Sequence, residues 1–386
     1  MSGTLEVVVV LLIGLIFYHY AGYPLLVHAL ARAFPRPPRR GDVTPSVAVV
    51  VAAHDEAAII ADKIETTLAL DYPDVEIIVS SDGSTDETVA VAARYADRGV
   101  RVIAAPTRAG KGAALNRAVA QSSAEIVVIS DANAFPAPDA LRQLVRSFHD
   151  PEVGCVSGRV APGPLTGAAA TSVAESEGAY WRYEGFIKAA ESTLASATGV
   201  VGSLLAVRRD CYEPVPPAVI NDDSHLMLAV MRRGLRAVYE PKARCWRRPS
   251  RTAADEITRR KRLTAGRYQH LARLRSWPWN APLTVFMLVS HKYLRLLMPL
   301  AMALALVLNL LVVVRGDAST WLQVTLAGQA AFYAAAGAGF VLAGLGRRLR
   351  PAAIAYFLVA GNLAMAWGFV NYVAGRQTVL WTRVSR

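Results

Sequence analysis

The chain has 386 residues, 53% of them hydrophobic, and its 42 Lys+Arg against 30 Asp+Glu give a formal charge of +12. That composition excludes a disordered chain and a collagen-like repeat, and three scattered cysteines (Cys155, Cys211, Cys245) exclude a disulfide framework or a cysteine-built zinc site. The basic excess is local: residues 232–275 hold fifteen Lys/Arg and three acids, and the remainder nets to zero. One segment, not the whole surface, must therefore face something negative.

In chain order, the first element is Val7–Ala31, an uncharged run long enough to cross a bilayer. No basic residue precedes it, so it does not read as a cleaved signal peptide. Arg32, Arg36, Arg39 and Arg40 follow it. The positive-inside rule then places the N-terminus outside and residue 40 in the cytoplasm. Val47–Ala53 is a short apolar run of the kind that forms a buried parallel strand. A helix is expected over about 57–70, a strand over Val75–Ser80, a helix over Ser84–Ala96, a strand over Val100–Ala104, a helix over Gly112–Gln121 and a strand over Glu125–Ser130. This alternation predicts an open α/β sheet with right-handed crossovers and a ligand site beyond the carboxyl ends of its strands. Polar clusters stand at those ends: His54-Asp55-Glu56, Asp82-Gly83-Ser84 and Asp131-Ala132-Asn133. No G-x-G-x-x-G or Walker A motif is present, which excludes NAD binding and P-loop ATP binding in their usual forms.

Further along, Asn221–His225 opens an apolar helix ending at Gly234, and Arg259-Arg260-Lys261-Arg262 lies on another. Trp277 and Trp279 suit the headgroup level of a membrane. Three more uncharged runs follow, Leu296–Val314, Ala318–Gly346 and Pro351–Gly375. Crossing by all of them puts Arg347, Arg348 and Arg350 inside and the tail outside. Arg376, Arg383 and Arg386 oppose that last placement, so either the final run is re-entrant or the charge rule is broken there. The expected organisation is a spanning helix (1–31), a catalytic domain (41–254), interfacial helices (255–295) and about three further spans (296–375).

Each polar cluster carries two readings. Asp82 either touches a ligand or belongs to a helix start that Ser84 or Thr85 caps. Asp131 and Asn133 either hold a hard divalent cation through oxygen or form a polar turn. Adjacent Asp222 and Asp223 either cap the helix or supply a general base whose proton affinity the neighbouring charge raises. Gly199–Arg209 offers a backbone that a ligand can approach closely, or a plain loop-to-strand passage. A run of four cations surrounds its helix, so part faces the domain and part faces lipid heads or a diphosphate.

In this order the motifs resemble the membrane-integrated family 2 glycosyltransferases, a group that includes hyaluronan, cellulose, chitin-oligosaccharide and poly-N-acetylglucosamine synthases. The resemblance implies an α/β GT-A domain joined to transmembrane helices. It implies nucleotide contacts from Ala53 and Glu56 in AAHDE, from Asp82 in SDGS, from Lys111 in GKGAALN, and from Asp131 and Arg262. Asp131 with Asn133 replaces the family's D-x-D motif, implying Mg²⁺ or Mn²⁺. GVVGSLLAVRR resembles the acceptor segment, implying Gly199, Gly202, Ser203 and Arg208 as acceptor contacts together with Asp222. Asp222-Asp223-Ser224-His225-Leu226 matches E-D-x-x-L and makes Asp223 the catalytic base. In the family's Q-x-x-R-W motif Arg262 is kept, while Arg259 and Leu263 replace Gln and Trp; Tyr268 or Trp277 are the nearest substitute rings.

The expected activity is inverting transfer from a UDP-sugar to a growing glycan or lipid-linked acceptor, at the cytoplasmic face of the inner membrane. Single-sugar addition to a lipid carrier is the alternative, and a non-catalytic nucleotide sensor is a third. Membrane lipids are expected partners and nucleic acid is not; accessory subunits stay open.

Overall fold

The computed structural model describes residues 2–163, 172–247, 253–316, 318–347 and 349–376. Arg248, Arg251, Arg348, Arg383 and Arg386 lie outside the described residues.

The chain begins with α1 (Ser2–Phe17), a π-helical turn and α2 (Tyr23–Ala33). The sheet-forming part then runs β1 (Val47–Ala53), α3 (Ile60–Leu68), β2 (Val75–Asp82), α4 (Thr88–Ala93), β3 (Val100–Ala105), α5 (Lys111–Ala120), β4 (Ile126–Asp131), β5 (Ala134–Pro136), α6 (Ala140–Val145), β6 (Val153–Pro162), α7 (Ser172–Leu194), β7 (Leu205–Arg208), α8 (Asp222–Arg232) and β8 (Arg236–Arg247). It closes with α9 (Ala253–Ala272), α10 (Pro282–Leu288), α11 (Met298–Val314), α12 (Thr320–Gly344) and α13 (Arg350–Val373).

The eight strands form one sheet in the order β3-β2-β1-β4-β7-β6-β8-β5. The expected parallel sheet is only its first half: β3, β2, β1 and β4 are parallel, whereas β7 runs antiparallel to both β4 and β6. Alternation explains why β1 is apolar throughout. Val49 and Val51 face a core shared with α3 and α6, and Val50 and Ala52 face one shared with α5 and α8. Each of these valines, fully buried, contributes about 1.5–3 kcal/mol.

Register positions the site. Ala52 of β1 pairs with Asp131 of β4, and Ala53 with Ser81 of β2, so the carboxyl ends of the central strands are level. Because β7 opposes β4, Leu205 pairs with Ile129 and Arg208 with Ile126. The residues just before β7 therefore reach the carboxyl edge, and Arg208 sits at the other edge. Neither Ser84 nor Thr85 caps α4, which starts later than expected, behind Glu87; just upstream, Asp86 Oδ1 accepts the amide of Thr88, the first residue of the helix, at 3.0 Å.

Four helical stretches are long and apolar enough to cross a membrane: Gly3–Ala33, Pro282–Val314, Thr320–Gly344 and Arg350–Val373. The second begins well before Leu296, because α10 continues through a π-helical and a 3₁₀ turn into α11. It thereby takes in His291, Lys292 and Arg295. Helix α9 lies against α13, with Arg260 over the Phe357 ring at 4.4 Å and Lys261 over the Trp367 ring at 4.2 Å. The four-cation run thus meets α13 as well as the domain, a contact not anticipated from the sequence.

Candidate active site

A cavity of about 870 Å³ opens at the carboxyl edge of the sheet and continues between α7, α9 and α13. Its inner wall comes from strand ends and helix starts. Asp131 closes β4, and Asn133 follows in the turn to β5. Beneath that turn Lys63 of α3 is fully buried, donating to Ser130 Oγ and to the Ala134 carbonyl, each at 2.6 Å. Burial lowers its ammonium to about 8. Ser130 Oγ in turn donates to the Ser203 carbonyl at 3.0 Å, and Ser203 Oγ donates to Asp131 Oδ2 at 2.7 Å. Lys63 therefore holds the turn from below. It was not legible as a site residue, being one lysine in an amphipathic helix.

Lys111 stands at the first position of α5, behind Gly110 at φ +98°. Its ammonium lies 2.8 Å from Asp131 Oδ1 and 3.1 Å from Asp222 Oδ2. Burial disfavours ionised Asp131, but the Lys111 ammonium and the hydrogen bonds from Lys111 and Ser203 outweigh it, holding the carboxyl well below its usual range. Asp82, expected at the ligand, lies outside the cavity lining. It is fully buried; its Oδ1 accepts the Ala109 amide and an Arg117 guanidinium nitrogen, each at 3.0 Å, and its Oδ2 accepts the Gly110 amide at 2.6 Å. Its carboxylate holds the loop that aims Lys111.

Asp222 and Asp223 open α8, where the helix N-terminus favours negative charge. Asp223 is half-buried in the cavity wall. It accepts the Ser224 amide at 2.7 Å and the Gly202 amide at 3.2 Å, with no ion pair among the described residues. Burial, then the Asp222 charge, raise its proton affinity, with Lys111 opposing. Gly202 leaves room for this crowding: a Cβ there would lie 3.3 Å from Lys111 Nζ and 3.4 Å from Asp223 Cβ. Asn221 Nδ2 donates to the Leu263 carbonyl at 3.0 Å, which ties α8 to α9 and brings Arg262 into the cavity lining.

Glu56, Lys111, Asp131, Asn133, Gly199, Gly202, Ser203, Asp222, Asp223 and Arg262 all line this cavity. Ala53 does not: the strand alternation turns it into the core, and Ala52 takes its place. Arg208 is corrected outright. At the opposite edge of the sheet it donates to the carbonyls of Val153 and Phe148 at 2.7 Å and of Asp150 at 3.1 Å. Neither proposed ring reaches the cavity. Tyr268 packs on Phe369 and Tyr372, and Trp277 stacks between Trp279 and Tyr293. The rings that do line it include Tyr180, Trp181 and Tyr183 of α7, a helix whose polar composition gave no sign of the role.

Among the described residues no three His, Cys, Asp or Glu side chains gather as a metal cage. Asp131 and Asn133 nevertheless fit a hard divalent ion. Both offer oxygen, Asp131 is ionised, and Mg²⁺-type ions are commonly held by one or two protein groups with substrate phosphates supplying the rest.

A family model described as "Glycosyltransferase like family 2" matches residues 45–266. The chain is 25% identical over 240 residues to a poly-beta-1,6-N-acetyl-D-glucosamine synthase of Staphylococcus aureus, covering 60% of this chain and 57% of that protein. It is 27% identical over 222 residues to an N-acetylglucosaminyltransferase of Mesorhizobium japonicum, covering 53% of this chain and 52% of that one. The chain thus spans a little over half the length of these curated relatives. Its fold is shared with a mannosyltransferase of Pyrobaculum calidifontis, solved with GDP-Man and Mn²⁺, at 24% identity and a TM-score of 0.72 over 96% of this chain and 100% of that one.

Proposed function

The chain belongs to glycosyltransferase-like family 2, and from that premise we propose that it is a membrane-bound inverting glycosyltransferase using a UDP-sugar. The observation that carries the proposal is Asp223: a carboxylate of raised proton affinity in the cavity wall, held by neutral amides, next to a cationic seat for a diphosphate. Asp223 takes the proton of an acceptor hydroxyl. The acceptor oxygen bonds to the anomeric carbon from the face opposite the nucleotide, the bond from that carbon to the diphosphate oxygen breaks, and its electron pair leaves with UDP. Configuration inverts because entry and departure are on opposite faces.

The chain's own cations offset the charge growing on the diphosphate. Lys111 and Arg262 both line the cavity, and preorganised cations in a water-poor site stabilise developing charge strongly. Asp131 and Asn133 would hold Mg²⁺ or Mn²⁺, which when bound neutralises the same diphosphate. Glu56 lines the donor end, while Asp82 acts through the loop that aims Lys111. Gly199, Gly202, Ser203 and Asp222 form the acceptor-side wall.

The four apolar helices and the arginines after the first of them support a multi-pass protein with its sheet domain in the cytoplasm, at the inner membrane. Among products, one observation favours addition of a single sugar over polymerisation: Leu263, not a tryptophan, lines the cavity at the end of the Arg259–Arg262 run.

The test is UDP release by the purified full chain over a panel of UDP- and GDP-sugars headed by UDP-N-acetylglucosamine, with and without Mn²⁺, followed by product mass. Metal-dependent release with an added sugar on the acceptor is expected. Nucleotide binding without release from any donor would overturn the reading.

A further inference from the structure

The cavity does not end at Asp223. It passes along Gly199–Gly202 to α7 and then to Phe357, Leu358 and Met365 of α13. Where it meets α7, a group of buried charges joins that helix to the second apolar stretch. Glu184 lies 2.8 Å from Lys292 Nζ and 2.6 Å from Arg295 Nη2. Glu191 lies 2.8 Å from His291 Nδ1 and accepts the Tyr23 hydroxyl at 2.6 Å and the Thr198 hydroxyl at 2.9 Å. Two carboxylates thus balance Lys292 and Arg295.

Lys188 is left over. It is one turn from Glu184 on α7 and only 3% exposed, and that exposure is to the cavity it lines. Its ammonium stands 4.3 Å from the centre of the Tyr239 ring. Among the described residues it makes no ion pair and no hydrogen bond. A ring face attracts a cation far less than a carboxylate or phosphate does, and a buried ammonium without an anion is unfavourable. Burial lowers this one to about 8. The backbone beside it is bare. A Cβ at Gly199 would lie 2.6 Å from Lys292 Nζ and 3.9 Å from Lys188 Cδ, so any side chain there would fill the space in front of the two lysines. Three residues on, Gly202 donates its amide to Asp223. Three peptide units span at most about 10 Å, the reach of a small headgroup.

We propose that Lys188 is the anion-receiving residue of the acceptor subsite, and that the acceptor presented to Asp223 carries a phosphate group seated between Lys188 and the bare backbone at Gly199. The apolar wall of α13 beyond it accommodates the chain of a lipid that bears the phosphate. The proposal rests on Asp223 being the base of the transfer reaction.

The test is equilibrium binding to the full chain in phosphatidylcholine nanodiscs, using a twenty-carbon polyprenyl monophosphate, the matching neutral polyprenol, and the soluble probe glucose 1-phosphate. UDP binding on the same samples reports folding and the donor site. The wild type is expected to bind the polyprenyl phosphate at least tenfold tighter than the alcohol. Lys188→Met should abolish that preference, and Lys188→Arg should restore it to within about threefold. Equal competition by glucose 1-phosphate would keep the phosphate seat and place the phosphate on a soluble acceptor. Equal binding of phosphate and alcohol by the wild type, or an unchanged preference in Lys188→Met samples that still bind UDP, would overturn the proposal. Absence of UDP binding in the wild type would refute the UDP-sugar reading; far-UV circular dichroism then reports folding, and the phosphate-against-alcohol comparison still decides the role of Lys188.

Discussion

Replacing Asp223 by Asn tests the chemistry most directly. The amide oxygen of Asn keeps an acceptor for the Ser224 amide, which lies 2.7 Å from Oδ1, so α8 should start as before, while the longer 3.2 Å bond from the Gly202 amide to Oδ2 is given up. What is lost is the proton acceptor. A positioned general base contributes about 10²–10⁴ in rate, or about 2.7–5.4 kcal/mol of barrier. The upper part of that range is expected, because burial and the Asp222 charge raise the basicity of Asp223 by more than Lys111, itself paired with Asp131 and Asp222, lowers it. The assay is acceptor-dependent UDP release across pH. In the wild type kcat should rise with pH through a limb above the ordinary carboxylate range, since burial and Asp222 both favour the protonated form. Asp223→Asn should lose kcat by at least a hundredfold, lose that limb, and keep the donor KM within about threefold. A variant within tenfold of wild-type kcat would refute the assignment.

Three further outcomes are expected. Asp222→Asn removes the like charge beside Asp223, so the acid limb should move to lower pH; a limb that stays or moves upward would contradict the coupling. Lys63 has a folded pKa of about 8 against an ordinary 10.5, so its charge costs the folded state about 3 kcal/mol below pH 8, and this cost fades as pH rises to 10.5. Lys63→Met should therefore gain stability relative to wild type as pH falls from 10.5 to 8, while losing activity because the Asp131 turn is no longer held; unfolding midpoints across that window and UDP release check both. Arg208→Met leaves three backbone carbonyls without their donor, at about 1–3 kcal/mol each where they are buried; it should lower the melting temperature and leave the acceptor KM unchanged.

The first half of the sheet was legible because strands buried on both faces are continuous apolar runs: Val47–Ala53 has the same bounds in sequence and structure. The second half was not. Strands β6 to β8 carry Arg159, Arg208 and Lys242 among their apolar residues, and they pair with partners far along the chain. Motif order brought Asp131, Lys111, Asp222 and Asp223 to one cavity, since each follows a strand or opens a helix. It failed for Arg208 because a motif gives spacing, whereas antiparallel register decides which edge of the sheet a residue occupies. Helix α7 was invisible for a different reason. Its Glu184, Lys188 and Glu191 resemble a solvated face until His291, Lys292 and Arg295 are known to lie against it.

Glu191 has a consequence for how the protein is made. It joins Tyr23 of the first apolar stretch, its own helix in the sheet domain, and His291 of the second. During synthesis these parts leave the ribosome in that order, separated by 168 and then 100 residues. Where the second stretch crosses a membrane, it carries Lys292 and Arg295 into a setting in which an unpaired cation is strongly disfavoured. Their partner is Glu184 of α7, so they are paired once α7 is in place. Seating of that stretch in a membrane would then depend on prior folding of the sheet domain, because α7 supplies the carboxylates that pair its cations.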